Sequence, residues 1–249
     1  MTRSAWLSVA AAFGVFVLFW KMLVVVSGLP PFILPPPEIV AIRFLDALGD
    51  GTIEPHLRTT LIEVLLGFSV GAALALVAGY ALARSALFER LMSPYLVAAQ
   101  AIPILALAPL LVLWFGNGLL SKVIICSLIV FFPVAVATMV GIRSVEPRLL
   151  ELGRSLRATR RQVLLTLEIP AALPSILGGM RVGVTLAVVG ALVGEWAGAN
   201  QGLGVLINLA RGSLFDIPLM FATLLTIALV GIVLYLLVVV VERRLVASR

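Results

Sequence analysis

The sequence predicts an all-α integral membrane protein of about six transmembrane helices. Three observations carry that class: the apolar composition, six apolar runs of spanning length, and arginines gathered on alternate loops. Hydrophobic residues fill 62% of the 249 positions, charged residues 12%, and mean hydropathy is +1.18. A soluble domain of this length needs far more polar surface to cover its core, so lipid is the main solvent. The length suits one transmembrane domain over residues 1–249. Within it, 1–58 hold the first span and an outer segment, and 59–245 form the core.

A helix needs about 20 apolar residues to cross the hydrocarbon layer. Six stretches qualify: Ala5–Ser27, Thr59–Leu82, Ser93–Phe115, Leu119–Gly141, Ile176–Ala197 and Ile217–Val241. The first is preceded by Arg3 and is long for a signal peptide. No small-x-small cleavage pattern follows before Leu29-Pro30-Pro31, so it is expected to stay as a helix.

Charge placement sets orientation. With six spans, 13 of the 18 basic residues fall on the side that holds both termini: Arg3, Arg84, Arg90, seven arginines from Arg143 to Arg181, and Arg243, Arg244 and Arg249. Lys21, Arg43, Arg58, Lys122 and Arg211 fall on the other. Both termini and the loop 143–175 are therefore expected on the cytoplasmic side. The same membrane setting accounts for the net charge of +6 without a nucleic-acid partner.

The outer segment 28–58 is rich in proline and should be extended, with a short amphipathic helix over Val40–Leu48. Glycines recur at four-residue spacing (Gly67/Gly71, Gly179/Gly183, Gly190/Gly194/Gly198), which lets helix backbones approach closely in lipid. Pro103 and Pro109 should kink the third span, and broken helices tend to line cavities. Glu195, next to Gly194, is costly inside a bilayer, by about 2.5–3.5 kcal/mol at a helix centre. It is expected to line the translocation path or its outer gate, with Pro103 on that path and Gln100 a neighbour. The competing expectation is a carboxylate snorkelling to water beside Trp196.

Catalytic chemistry is sparse. There is no GxxxxGK[ST] loop, and the one histidine, His56, lies in the outer segment. Cys126 is the only cysteine and sits in an apolar run, as a packing residue does. No catalytic residue, metal site or cofactor is expected in this chain.

The basic loop reads Glu151-Leu152-Gly153-Arg154-Ser155-Leu156-Arg157-Ala158-Thr159, then Glu168-Ile169-Pro170-Ala171-Ala172-Leu173-Pro174. It resembles the EAA motif of bacterial ATP-binding-cassette (ABC) importer permeases. Glu151 matches the acidic position, Gly153 a small one, and Pro170 or Pro174 the closing proline. Leu152 departs from the pattern, and Arg157 stands where glycine is usual. Ala106–Gly116, Ile169–Gly183 and Gly202-Leu203-Gly204 extend the resemblance to the permeases for nitrate, sulfonates and taurine. Ala187–Gly204 looks closest to members handling thiamine-pyrimidine precursors or riboflavin.

The resemblance implies a type I importer permease fold. Two permease copies would pair as a homodimer, and each would present a coupling helix, about Gly153–Leu164, to an ATPase dimer. Glu151, Gly153, Ser155, Leu156, Arg157, Ala158, Thr159 and Pro170 are the ATPase-coupling residues it implies. ATP and magnesium would belong to that ATPase, and an extracytoplasmic binding protein or lipoprotein would deliver the solute. The alternatives are a carrier driven by an ion gradient, for which Glu63 and Glu195 are the candidate ionisable residues within the spans, or a scaffold that moves nothing.

Overall fold

The computed structural model describes residues 3–247, and among them only helices, with no strand. Arg249, counted above among the basic residues, lies outside that range. Four helices are long and apolar enough to cross a membrane: α3 (Glu54–Arg84), α6 (Leu119–Arg143), α9 (Ile169–Gly198) and α11 (Ile217–Ala247). α9 is entered through α8 (Arg160–Val163) and a π-helical turn (Leu164–Glu168), so that its span begins well before the expected Ile176.

The expected third span is two helices, α4 (Ala86–Ala101) and α5 (Ile104–Phe115), bent by 93°. Pro103 supplies the break: it has no N–H and forces Ile102 into an extended conformation (φ −81°, ψ 119°). Pro109 lies inside α5, which continues past it to Phe115. The pair still crosses the bundle. Glu89 near its start binds Arg143 at one end of α6, and Gly116 just after it accepts from Ser121 at the other. Among the described residues the four helices and this bent pair make up to five spans. The remaining expected span, α1 (Arg3–Ser27), is an apolar helix whose side chains are described over 11–27.

α6 is the centre of the bundle, packed along both α3 and α9. Each neighbour meets it with glycines. A methyl group added at Gly71 would lie 2.7 Å from the Ser127 carbonyl, and one at Gly79 would reach 2.5 Å from that of Ala135. From the other side, one at Gly190 would lie 2.9 Å from the Cys126 Cα and one at Gly194 3.0 Å from Lys122. Cys126 is fully buried, wedged between Gly67 and Gly190. Van der Waals contact between close backbones is what holds helices together in lipid, where burial from water gives no drive.

A second cluster joins α2 (Pro37–Gly49) and α10 (Leu203–Arg211) to α11 through Ala47, Ile53, Leu203, Leu206 and Leu219. α2 covers the expected Val40–Leu48 helix and starts at Pro37, where a missing N–H costs nothing. Arg43 of α2 binds Asp216 at 2.7 Å, and Asp216 accepts from the Leu219 amide in the first turn of α11.

Gly71 and Gly231 separate packing from propensity. Gly71→Ala is expected to lower stability by about 1–3 kcal/mol, because backbone atoms block the new methyl. Gly231 on α11 has nothing within 4 Å of the added methyl, so Gly231→Ala should be neutral or gain up to about 1 kcal/mol. Thermal unfolding of both variants in detergent checks this; equal shifts would remove the packing role.

Candidate functional site

Two polar regions stand at opposite ends of the bundle. At the end away from the basic loop, Glu63, Lys122 and Glu195 are buried within helices α3, α6 and α9. Glu195 acts as a cap for a helix it does not belong to. α10 begins at Gly202, which has no side chain to accept from the free amides of the first turn. Glu195 Oε2 accepts from the Gly204 amide at 2.5 Å, and Thr60 Oγ1 accepts from the Leu203 amide at 2.9 Å. Thr60 in turn donates to Glu195 Oε1 at 2.6 Å.

Gly202 is in a left-handed conformation (φ 136°), and the Glu195 carboxylate fills the space its side chain would take. His56 Nδ1 lies 2.8 Å from the Gly202 carbonyl oxygen and 3.1 Å from its amide nitrogen, so it binds this residue in either tautomer. Trp196, whose indole donates to the Gly204 carbonyl at 3.0 Å, completes the turn. Lys122 donates to the carbonyls of Asn117 and Gly198, placing an ammonium at the C-terminus of α9 where the helix dipole favours it. Beside the turn a cleft of about 550 Å³ is lined by Thr59, Glu63, Asn117, Lys122, Asn200 and Gln201.

Gln100 is not a neighbour of Glu195, contrary to the expectation above. It lines a groove with Leu82 of α3 and Phe132 and Met139 of α6, whereas Glu195 meets Thr60. Leu82 and Thr60 are 22 residues apart on α3, about 33 Å at 1.5 Å per residue. The expectation failed on depth: Gln100 is seven residues into the expected span Ser93–Phe115, about 10 Å from its basic end, whereas Glu195 lies two residues from the far end of Ile176–Ala197.

At the basic end, Arg143 closes α3. It donates to the carbonyls of Leu82 and Ala83 and holds both oxygens of Glu89, at 2.8 and 2.7 Å. Arg84 pairs with the buried Glu168 at 3.1 Å, tying the π-helical turn to the end of α3.

Between these anchors runs the loop that carries the EAA-like residues. α7 (Pro147–Ser155) ends in a turn at Arg157, and Thr159 starts α8 with a capping box to Gln162. The expected helix Gly153–Leu164 is therefore two short helices. The leucine periodicity continues through the turn and hides it. Arg157 has φ +52°, the left-handed region, so the residue at the motif's usual glycine takes up the conformation that glycine favours. Gly153 is buried against Val163 and Leu167, which accounts for a small residue there. Glu151, Ser155, Arg157 and Thr159 are exposed, and Ala158 and Pro170 half-buried. Leu149, Leu152 and Leu156 are 42%, 56% and 73% exposed at helical spacing, an apolar stripe facing away from the bundle.

Residues 71–247 match the family described as binding-protein-dependent transport system inner membrane component. The chain belongs to that family. It is 45% identical over 229 residues to the riboflavin transport system permease protein of Chloroflexus aurantiacus, covering 92% of this chain and 85% of that one. It is 38% identical to the formylaminopyrimidine transport permease protein of Halalkalibacterium halodurans, over 86% of this chain and 88% of the relative. The taurine transport system permease protein of Escherichia coli is 30% identical, over 98% and 90%.

Among solved structures, an amino acid ABC transporter with histidines matches with a TM-score of 0.62 at 19% identity, over 83% of this chain and 98% of that one. The MetNI methionine ABC transporter matches with a TM-score of 0.60 at 19% identity, over 79% and 93%. The fold is that of a type I ABC importer permease, and this protein is a multi-pass membrane permease subunit of that class.

Glu195→Leu in this permease should strip acceptors from Thr60 and the Gly204 amide, at about 1–3 kcal/mol for each buried group left unpaired. Glu195→Gln keeps one acceptor and should lose less. Thermal unfolding in detergent, with proteolysis at 199–202, measures both. If Glu195→Leu is as stable and as resistant as the wild type, the capping role is wrong.

Proposed function

We propose that this permease imports a small organic solute across the bacterial inner membrane with energy from a separate ATPase dimer docked on the loop 144–168. In this reading both termini and that loop are cytoplasmic, and the Glu63/Glu195 end is the outer mouth. A second copy of the chain completes the pathway. An extracytoplasmic binding protein or lipoprotein delivers the solute, and ATP and magnesium are held by the ATPase. The names of the relatives, for riboflavin, a formylaminopyrimidine and taurine, support a small organic solute.

The observation that carries this reading is the exposed stripe Leu149, Leu152 and Leu156, on α7 and the residue after it, in a loop anchored at both ends. Apolar side chains on a loop lined with arginines and glutamates gain nothing from water. They fit a groove in a soluble partner. A gradient-driven carrier would instead work through titrating residues in its spans. The buried trio Glu63, Glu195 and Lys122 is the observation in favour of that reading, yet two of the three are bound to backbone groups of the α9–α10 turn and its neighbour.

Leu152→Asp and Glu151→Arg are expected to weaken capture of the ATPase by at least about tenfold while leaving the permease inserted and folded. Co-purification of the ATPase, with ATP-dependent uptake in proteoliposomes, reads the effect. Full capture and full transport by both variants would rule out this loop as the docking surface.

A further inference from the structure

The cleft beside the α9–α10 turn has one lining carboxyl with an oxygen that the fold leaves unpaired. Glu195 spends its oxygens on Thr60 and Gly204, and Lys122 spends its ammonium on the carbonyls of Asn117 and Gly198. Glu63 is only 3% exposed, and its Oε2 has no hydrogen-bond partner. A buried carboxyl oxygen without a donor costs stability. Glu168 Oε2 shares that state, but Glu168 is held in an ion pair with Arg84, whereas Glu63 makes no ion pair among the described residues and lines the cleft. Leucine or valine would fill this position on α3 at less cost.

We propose that the cleft is a solute-contacting subsite in which Glu63 accepts an N–H of the transported molecule. The solute class is then a small nitrogen-bearing molecule, uncharged or cationic, rather than an oxyanion such as a sulfonate or nitrate. The inference rests on the reading of this end as the outer mouth of an importer. The cleft's volume of about 550 Å³ lies in the range of small-molecule sites. Its lining offers the Glu63 carboxyl as an acceptor and three amides, Asn117, Asn200 and Gln201, that can both accept and donate. The Thr59 hydroxyl donates inward, to the Pro55 carbonyl at 3.0 Å. Lys122 is the only cation among the lining residues, and it is already bound to two carbonyls. An oxyanion would therefore find no free positive partner among the lining residues. An N–H donor would give Glu63 the bond it lacks.

The test is uptake by cells carrying the complete transporter, with radiolabelled riboflavin, formylaminopyrimidine and ethanesulfonate as probes. At least one of the two heterocycles should be imported and the sulfonate not. Glu63→Leu should lower the rate at saturating solute by about tenfold, the loss of one hydrogen bond in a buried site. Glu63→Gln, whose amide oxygen still accepts, should stay within about threefold. Co-purified ATPase should be unchanged in both. Should Glu63→Leu fail to assemble, Glu63→Asp is read instead. It keeps the carboxyl but withdraws the acceptor by one methylene, and a similar loss is expected. Import of the sulfonate, import of neither heterocycle, or a wild-type rate in the variant read would overturn the proposal. A disabled nucleotide site in the ATPase separates the two claims: uptake that survives it sinks the importer reading and leaves the Glu63 comparison standing.

Discussion

The close approach of α6 to α3 on one side and α9 on the other is the constraint from which the rest of this permease follows. Gly67, Gly71 and Gly79 from α3, and Gly179, Gly183, Gly190 and Gly194 from α9, bring neighbouring backbones against α6 where any side chain would clash. In lipid this contact replaces the hydrophobic drive of a soluble core. It also decides which polar groups can meet. With the three helices this close, the Thr60 hydroxyl reaches Glu195, and the ammonium of Lys122 reaches the last carbonyl of α9.

The two ends of the bundle solve the same problem of free backbone groups by different means. At the basic end, Arg143 and Glu89 complete the last turn of α3, and Arg84 binds the turn that starts the α9 span. At the other end, Glu195 and Thr60 supply from a distance the cap that Gly202 cannot. Charges inside a bilayer-spanning bundle are costly unless each has a partner. Here Glu195 and Lys122 hold backbone and Glu168 pairs with Arg84, while Glu63 lines the cleft with one oxygen unpaired.

Much of this was legible in the residues. Span positions followed from apolar runs, and the glycine seams from four-residue spacing, because both are local patterns with a single physical meaning in lipid. The loop was recognisable by its motif, and Arg157 shows why a departure from that motif can be tolerated: its backbone takes the left-handed conformation at a modest steric cost. What was not legible depended on distance in sequence. Thr60 carries no signal of its own, and Lys122 reads as one more basic residue on the outer side. Only the fold brings residues 60, 122, 195 and 204 together. The sharp bend at Pro103 was likewise underestimated, since a proline alone predicts a kink and not an angle of 93°.

The contact between Gly67 and Cys126 offers the most direct check on this packing, because the sterically blocking atoms are those of the cysteine side chain. A double-mutant cycle exchanges knob and hole across the seam. Gly67→Ala alone should destabilise by overpacking, and Cys126→Gly alone by leaving a void. In the double variant the new methyl occupies the space the cysteine vacated, so thermal unfolding should show a favourable coupling of about 1 kcal/mol or more. Strictly additive losses would mean that α3 and α6 do not meet at these residues, and the account of the bundle built on that contact would fall.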